Sequence, residues 1–234
     1  MVMRRVGTHR LIEEVIEEMD TTIIVKSVTI TGDTSRVYTC NTLWITEGET
    51  HEIDGFDYRV TAISPNEWID FYSTDATISV DEFDIQLPKF FYGTIRSAAT
   101  ELNEINLGWS KLPMIYLHDP VEETPGNDLS LVDRESDVDL YFMAQNNIER
   151  WTNEQHEDLA VVPMRNMVDK FMECLRSGKF ALDPDEGYGE RIYNRVRWGE
   201  EEKSGYNNQI FRENVSGVQL RITIPFLKSF ACNC

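Results

Sequence analysis

The sequence predicts an α+β protein, with a small N-terminal β-sandwich or barrel-like module followed by a mixed β-sheet that packs on one main helix. Short β-branched and aromatic runs, separated by turn residues, fill residues 22–80. Apolar residues recur at helical spacing after Pro163. Apolar residues alternate with polar ones before this helix, at 138–142, and after it, at 218–224, and so predict strands that the helix covers.

The chain begins with a predicted amphipathic helix. Between residues 11 and 19 the apolar side chains fall on one helical face, and the glutamates fall mostly on the other. Thr8 is the expected N-cap. A helix this short is marginally stable alone, so we expect it to dock on the protein body or on a neighbouring subunit. We assign residues 1–20 to this helix, 21–95 to the β module and 96–234 to an α+β domain.

The clearest hairpin of the β module turns at Asp54-Gly55. This dipeptide supplies the positive φ angles of a two-residue primed turn. One strand ends before it at Ile53, and the next runs over residues 58–63. Pro65 ends that second strand, because proline cannot continue a central ladder.

The seam between the two parts is expected near a strand over residues 83–94 that bends at Pro88 and a short helix over 97–105. The aromatic run Phe90-Phe91-Tyr92 lies in this stretch, with Trp109 nearby. Such a run is a candidate stacking platform for bases or sugars. In an acidic chain beside a domain seam, we interpret it as aromatic packing.

The α+β domain has one strong helical pattern among several strands. Its predicted strands cover residues 114–117, 138–142, 191–198, 209–211 and 218–224, and its helix covers 163–175. Pro163 suits the first helical turn. We interpret Met164, Met167 and Met172 as core residues, ahead of a pliable oligomer contact or a cofactor site. Residues 214–217 are expected to turn the final hairpin.

Two polar segments of this domain are predicted to lack regular structure. Residues 122–135 are rich in Pro, Gly, Asn and Asp, which predicts an exposed, mobile loop. Residues 151–158 contain His156 among acidic neighbours and are interpreted as a solvated link. A metal at His156 would need further ligands on the same face.

No metal and no cofactor are predicted. The alternating carboxylates of residues 133–139 resemble a calcium loop, but the central glycine and the closing glutamate are missing. Cys232 and Cys234 form a C-x-C that lacks a second cysteine pair or a nearby histidine. A calcium ion at the first site and a soft metal at the second remain alternatives.

The sequence contains no catalytic motif that would identify an enzyme. It has no Gly-rich phosphate loop, G-x-S-x-G elbow, H-E-x-x-H helix or C-x-x-C pair. Its histidines are scattered singly. We therefore expect no catalytic residues. A hydrolase with an unrecognised carboxylate pair is an alternative, because such pairs carry no fixed motif.

The chain is strongly acidic, with a formal charge of -19 from 41 acidic and 22 basic residues. This excess disfavours adhesion to nucleic-acid phosphates and to anionic lipid. No segment has the roughly 20 apolar residues of a membrane helix, and no signal peptide is recognised. Synthesis in the cytoplasm is expected. Local arginines at Arg191, Arg195 and Arg197, together with Asp133 and Glu135, are the candidate oligomer-interface residues.

Four segments of the second half follow one another in a characteristic order. They are KLPMIYL at 111–117, DVDLYF at 137–142, PMRNMVDKF at 163–171 and VSGVQL at 215–220. In this order of strand, loop, strand, inner helix and closing hairpin, the chain resembles tail-terminator and tail-completion proteins of tailed bacteriophages. With its added β module it is similar to neck and tail ring proteins of phages of Bacteroides-type hosts, including crAss-like phages.

The resemblance implies a structural virion protein made in the host cytoplasm. It would form a homo-oligomeric ring at the head-tail connector and contact other neck, portal or tail proteins. DNA would pass through the lumen without specific binding, which suits an acidic subunit that repels phosphates. A closed ring needs two different, complementary patches on each subunit. The alternative binding module is an acidic inhibitor that mimics DNA and occupies a nucleic-acid-binding protein.

Overall fold

The computed structural model describes residues 7–104, 112–118, 121–125, 132–145, 151–177, 190–198 and 214–227. It confirms the α+β class. The helices are α1 (Thr8–Glu17), α2 (Ile95–Glu104), α3 (Asn153–His156) and α4 (Val162–Leu175), and a π-helical segment (Glu157–Val161) joins the last two. The strands are β1 (Thr22–Ile24), β2 (Ser27–Thr31), β3 (Thr34–Tyr38), β4 (Thr50–Ile53), β5 (Phe56–Ser64), β6 (Trp68–Tyr72), β7 (Glu82–Asp84), β8 (Lys89–Gly93), β9 (Met114–His118), β10 (Glu122–Pro125), β11 (Val132–Gln145), β12 (Arg191–Trp198) and β13 (Val215–Leu227).

The N-terminal β module is built on an antiparallel five-stranded sheet with the order β2-β3-β6-β5-β4, accompanied by a two-stranded ribbon of β1 and β7. The predicted hairpin at Asp54-Gly55 is confirmed, with φ angles of 52° and 80° between β4 and β5. β5 ends at Ser64, directly before Pro65, as the proline predicts. Alternate side chains, including Val37 on β3, point into the core.

The C-terminal sheet has the order β12-β13-β11-β9-β8, and β10 pairs with the other end of β11. All its strand pairs are antiparallel except β8 with β9. β9, β11, β12 and β13 confirm the strands predicted at 114–117, 138–142, 191–198 and 218–224. The strand predicted at 209–211 lies outside the described residues.

One face of this sheet, here called the inner face, is covered by α1 and α4. The side chains of Met164, Met167 and Met172 are buried there, so their interpretation as core residues is confirmed. The buried residues of both sheets and both helices form one continuous cluster. The division of the chain into three parts stays a prediction. None of the helices in the described ranges has the length and apolar character required to cross a membrane.

Thr8 is not the N-cap of α1. The cap position is Gly7, and no side chain caps the helix there. Thr8 lies inside the first turn and is buried, with its hydroxyl 3.1 Å from the Ser136 Oγ of β11. The residue therefore ties α1 to the sheet instead of capping the helix.

A second, smaller core lies on the opposite, outer face of the C-terminal sheet. Its buried residues are Phe91, Ala99, Leu112, Met114, Tyr116, Met143, Trp198 and Val215. Phe91 of the aromatic run belongs to it, while Phe90 packs on the main core and Tyr92 remains exposed. The interpretation of this run as packing therefore holds for Phe90 and Phe91. Trp109 lies outside the described residues.

The prediction of a loop over residues 122–135 is wrong at both described ends. β10 pairs with β11, and Glu122 lies opposite Asp137. On its other side β11 follows β13 as far as Leu227. Backbone hydrogen bonds to two neighbouring strands order this polar sequence despite its composition.

The prediction of a solvated link over residues 151–158 is also wrong. Thr152 and Gln155 form a reciprocal capping box, in which each backbone amide donates to the other side chain at 2.9 and 3.2 Å. α3 starts there and continues through the π-helical segment into α4. His156 is buried as a result. Pro163 lies in the first turn of α4, as predicted, but the helical stretch itself begins earlier, at Asn153.

The final hairpin does not turn at residues 214–217. Val215 to Gly217 belong to β13, and Gly217 lies opposite Met143 of β11. A Cβ atom at this position would come within 1.9 Å of the Phe142 carbonyl oxygen. The glycine is therefore required by close backbone approach and not by a turn.

Candidate interaction surface

The outer face of the C-terminal sheet carries charges beyond its small core. Buried Val138 and Leu140 of β11 alternate with Asp137 and Asp139, which point to the opposite side. An open depression of about 480 Å³ lies here. It is lined by Glu122, Asp137, Val138, Asp139, Glu190, Arg191, Arg221 and Thr223, and we call this region the charged face.

Strand register places oppositely charged residues of the charged face side by side. Asp139 of β11 lies opposite Arg221 of β13, and Arg221 lies opposite Arg191 of β12. Arg221 donates two hydrogen bonds to the Asp139 carboxylate, at 2.7 and 3.1 Å, and Gln219 donates a third at 3.2 Å. The hydrogen bonds and the charge of Asp139 raise the pKa of Arg221 above its usual range. This ion pair therefore links β11 and β13 within one chain.

The neighbouring carboxylate is also engaged within the sheet. Thr223 Oγ1 donates a hydrogen bond of 2.5 Å to Asp137 Oδ1 across the β11–β13 pair. Asp137 and Asp139 thus both bind side chains of the adjacent strand. This arrangement supports a role in holding the strands in register, since cross-strand polar pairs stabilise a sheet.

Three charged side chains of this region have no bonding partner among the described residues. Arg191 on β12, Glu122 on β10 and Glu135 on β11 are exposed and form no hydrogen bond or ion pair there. The arginine lies on one edge strand of the sheet, and Glu122 lies on an edge strand on the other side of β11 and β13. The sheet therefore presents Arg191 on the edge strand β12 and Glu122 on β10, on the other side of β11 and β13, without a partner among the described residues.

The structure does not bring the predicted interface residues into one cluster. Arg191, Arg195 and Arg197 all lie on β12, where a register shift falls at Arg195. Asp133 and Glu135 lie on β11, where another register shift falls at Asp133. β13 separates the two groups. The basic and the acidic candidates thus occupy separate places on the sheet.

Sequence reasoning missed Arg221 and Glu122. Arg221 alternates with buried residues along β13, as Asp139 does along β11, so both were recognisable as outward-facing. The sequence alone does not give the register of β11 and β13, which places Asp139 opposite Arg221. Glu122 was hidden because its strand was interpreted as a loop.

A second polar cluster is buried in the β module. Thr46 Oγ1 donates a 2.5 Å hydrogen bond to Glu49, whose other oxygen lies 3.1 Å from His51 Nε2. The His51 ring also meets the edge of Phe71, at a centroid distance of 6.4 Å. These contacts satisfy a carboxylate that would otherwise be costly to bury. The cluster therefore belongs to the packed interior of the module, where the Nδ1 atom of His51 has no hydrogen-bond partner among the described residues.

Among the described residues, no group of three or more His, Cys, Asp or Glu is arranged to hold a metal ion. Of the predicted calcium-like run, Asp137 and Asp139 bind neighbouring side chains, as described above. Cys232 and Cys234 lie outside the described residues. Comparison of the chain with protein-family models, curated proteins and solved structures gives no match.

Proposed function

We propose that this chain is a structural subunit of a ring in the neck or tail of a tailed bacteriophage. The ring joins neighbouring rings of the virion and leaves a channel through which DNA passes. The proposal is supported by the resemblance of the second half to tail-terminator and tail-completion proteins. It is also supported by the charge distribution of the C-terminal sheet.

The observation that carries the proposal is the separation of free charges on this sheet. Arg191 lies on β12 at one edge, whereas Glu122 lies on β10 at the other side. A ring made of identical subunits requires a heterologous contact, in which one patch binds a different patch of the next copy. Arg191 and Glu122, which lie on two separate strands, offer a complementary pair of charges for such a contact.

The overall charge fits a channel for DNA. A formal charge of -19 on each subunit is multiplied by the copy number of the ring. Negative potential in the lumen repels phosphates and lets a duplex slide without tight binding. The carboxylates Asp137 and Asp139, which form cross-strand bonds, are accounted for without an enzymatic role.

Native mass spectrometry and negative-stain electron microscopy of the purified chain test this proposal. We expect a single closed stoichiometry and ring-shaped particles with a central opening, either alone or after addition of portal and tail proteins of the same phage. A chain that stays monomeric at high concentration, even with those partners, would overturn the proposal. Recovery of a nuclease instead of virion proteins in a pull-down would favour the DNA-mimic alternative.

A further inference from the structure

We propose that the edge of the molecule where α1 meets β8 binds an arginine-bearing segment of a partner protein. The site combines the rings of His9, Phe90 and Tyr92 with the carboxylates of Glu13 and Glu17, and we call it the aromatic–acidic stripe. The inference goes beyond the proposed ring function and does not depend on it.

Three aromatic rings form an ordered row at this edge. His9 stacks on Tyr92 with ring centroids 5.2 Å apart and 24° between the ring planes, and Phe90 stacks on Tyr92 at 6.0 Å and 28°. Stacked rings at these distances are offset, so part of each ring face stays open. Tyr92 keeps 53% of its surface accessible. The row is therefore held in place by its own contacts and presents open ring faces to solvent.

The position of β8 leaves these rings at the border of the sheet. β8 is the last strand of the sheet order, and within the described residues it pairs only with β9. Phe91 points into the small outer core, so Phe90 and Tyr92 point to the inner face, where α1 lies. Lys89 alternates with Phe90 and points away from the rings. The packing of the sheet therefore accounts for Phe91, but it does not account for the exposed ring of Tyr92.

The helix beside the rings supplies free negative charge. Glu13 and Glu17 follow His9 at intervals of four residues, so the three side chains are neighbours along one side of α1. Both glutamates are exposed, and neither forms a hydrogen bond or an ion pair with the described residues. Arg10 of the same helix is bound by Glu14 Oε1 at 3.3 Å. The stripe therefore joins open ring faces to carboxylates that no cation of α1 neutralises.

This combination fits a guanidinium group. An aromatic ring attracts a cation to its face, and a planar guanidinium can stack on a ring while it donates hydrogen bonds to a carboxylate. A lysine ammonium has no planar face and is more strongly hydrated, so it fits less well. Bases of a single-stranded nucleic acid also stack on such rings, but their phosphates would meet Glu13, Glu17 and a chain with a formal charge of -19. The charges therefore favour an arginine-bearing protein segment.

Binding of a labelled peptide in which arginine alternates with serine tests the inference. Peptides with lysine or citrulline in place of arginine are compared with it by fluorescence anisotropy, in about 0.15 M salt to screen distant charges. The variants are Tyr92→Leu, which keeps apolar bulk and removes the aromatic face, and Glu13→Gln, alone and combined. Tyr72→Leu and Glu52→Gln are the matched controls, because they make the same changes at exposed positions of the β module. Circular dichroism checks that every variant folds.

We expect the arginine peptide to bind the wild type more tightly than the lysine peptide, and the citrulline peptide to bind weakest. Tyr92→Leu should weaken binding of the arginine peptide about two- to fivefold, as the loss of an exposed cation–π contact predicts. Glu13→Gln should weaken it about twofold, as for an exposed ion pair. The double variant should weaken it about five- to tenfold, while both controls bind like the wild type.

Four results would overturn the inference and leave the proposed ring function untouched. The arginine peptide fails to bind the wild type, or the lysine or citrulline peptide binds as tightly as the arginine peptide. Alternatively, the double variant binds the arginine peptide as well as the two controls do. Finally, a single-stranded oligothymidylate that binds more tightly than the arginine peptide and requires Tyr92 would identify the stripe as a nucleic-acid site.

Discussion

The two faces of the C-terminal sheet use the same strands for different purposes. On the inner face Leu140, Phe142, Leu220 and Ile222 have no solvent exposure and pack beneath the helices. On the outer face the intervening positions carry ion pairs and free charges, such as that of Arg191. Because successive residues of a strand point to opposite sides, the inner positions build the main core, and the outer positions beyond the small core carry the charges. We therefore expect substitutions in the main core to change folding, and substitutions of the free outer charges to change assembly into the proposed ring.

The largest effect is expected from truncation on the inner face. Phe171 of α4 has no solvent exposure, and its ring meets the edge of Phe142 of β11 at a centroid distance of 5.7 Å. Phe171→Ala removes this packing and leaves a cavity, so the free energy of unfolding should fall by about 3–5 kcal/mol. Urea denaturation followed by circular dichroism measures the change.

Asp169 supplies the matched control on the same helix. It is exposed and forms no bond with the described residues. Asp169→Asn should alter the free energy of unfolding by no more than about 0.5 kcal/mol. If Phe171→Ala kept full stability and lost assembly, the apolar stripe of α4 would be an intersubunit surface. That result would contradict its assignment to the core.

A smaller but still clear loss is expected at Gly217. The Cβ of Gly217→Ala would lie 1.9 Å from the Phe142 carbonyl oxygen, so β13 and β11 must move apart. Overpacking of this kind costs about 1–3 kcal/mol. Thermal unfolding of this variant beside the wild type measures the loss. Unchanged stability would show that β13 does not approach β11 as closely as described.

The smallest effect concerns the pH dependence of the outer face. Tyr141 packs against Trp198 at a centroid distance of 4.7 Å, and its burial, with the nearby charge of Asp139, raises the pKa of its phenol. A raised folded-state pKa contributes stability that is present below the unfolded pKa of about 10 and is lost as the pH rises through the folded value. Tyr141→Phe should therefore match the wild type within about 0.5 kcal/mol at pH 7 and lose less stability above pH 10. Urea titrations at both pH values measure this, and identical alkaline losses in the two proteins would contradict it.

The spacing of apolar residues was sufficient to predict the elements that bury only one side. The apolar stripe of α4 and the alternation along β11 and β13 identified the main helix and its sheet, because side-chain exposure repeats with the backbone period. Periodicity does not predict elements that depend on a side-chain cap or on hydrogen bonds to a distant strand. The capping-box residues Thr152 and Gln155 are visible in the sequence, but the polar composition around them predicts a link and not a helix start. The β10 pairing with β11 rests on backbone hydrogen bonds that composition does not reveal.

The candidate surface was only half predictable. The arginines of β12 were found as a local cluster, and Glu135 was found as part of an acidic run. Their arrangement on either side of β13 depends on strand order, which arises from contacts between residues about 80 positions apart, as in the pair formed by Arg221 and Asp139. Single-sequence reasoning has no access to that order.

Hydrogen exchange of the β12 backbone tests most directly whether the opposite edges of this sheet are the contact surface. Amides of residues 191–194 are compared between the assembled and the monomeric wild-type chain, with the edge strand β2 of the β module as the internal control. A contact that covers this edge protects its outward-facing amides from solvent, so their exchange should slow at least about tenfold on assembly while β2 is unchanged. Assembly that protects β2 and leaves residues 191–194 exchanging as fast as in the monomer would contradict this assignment of the contact.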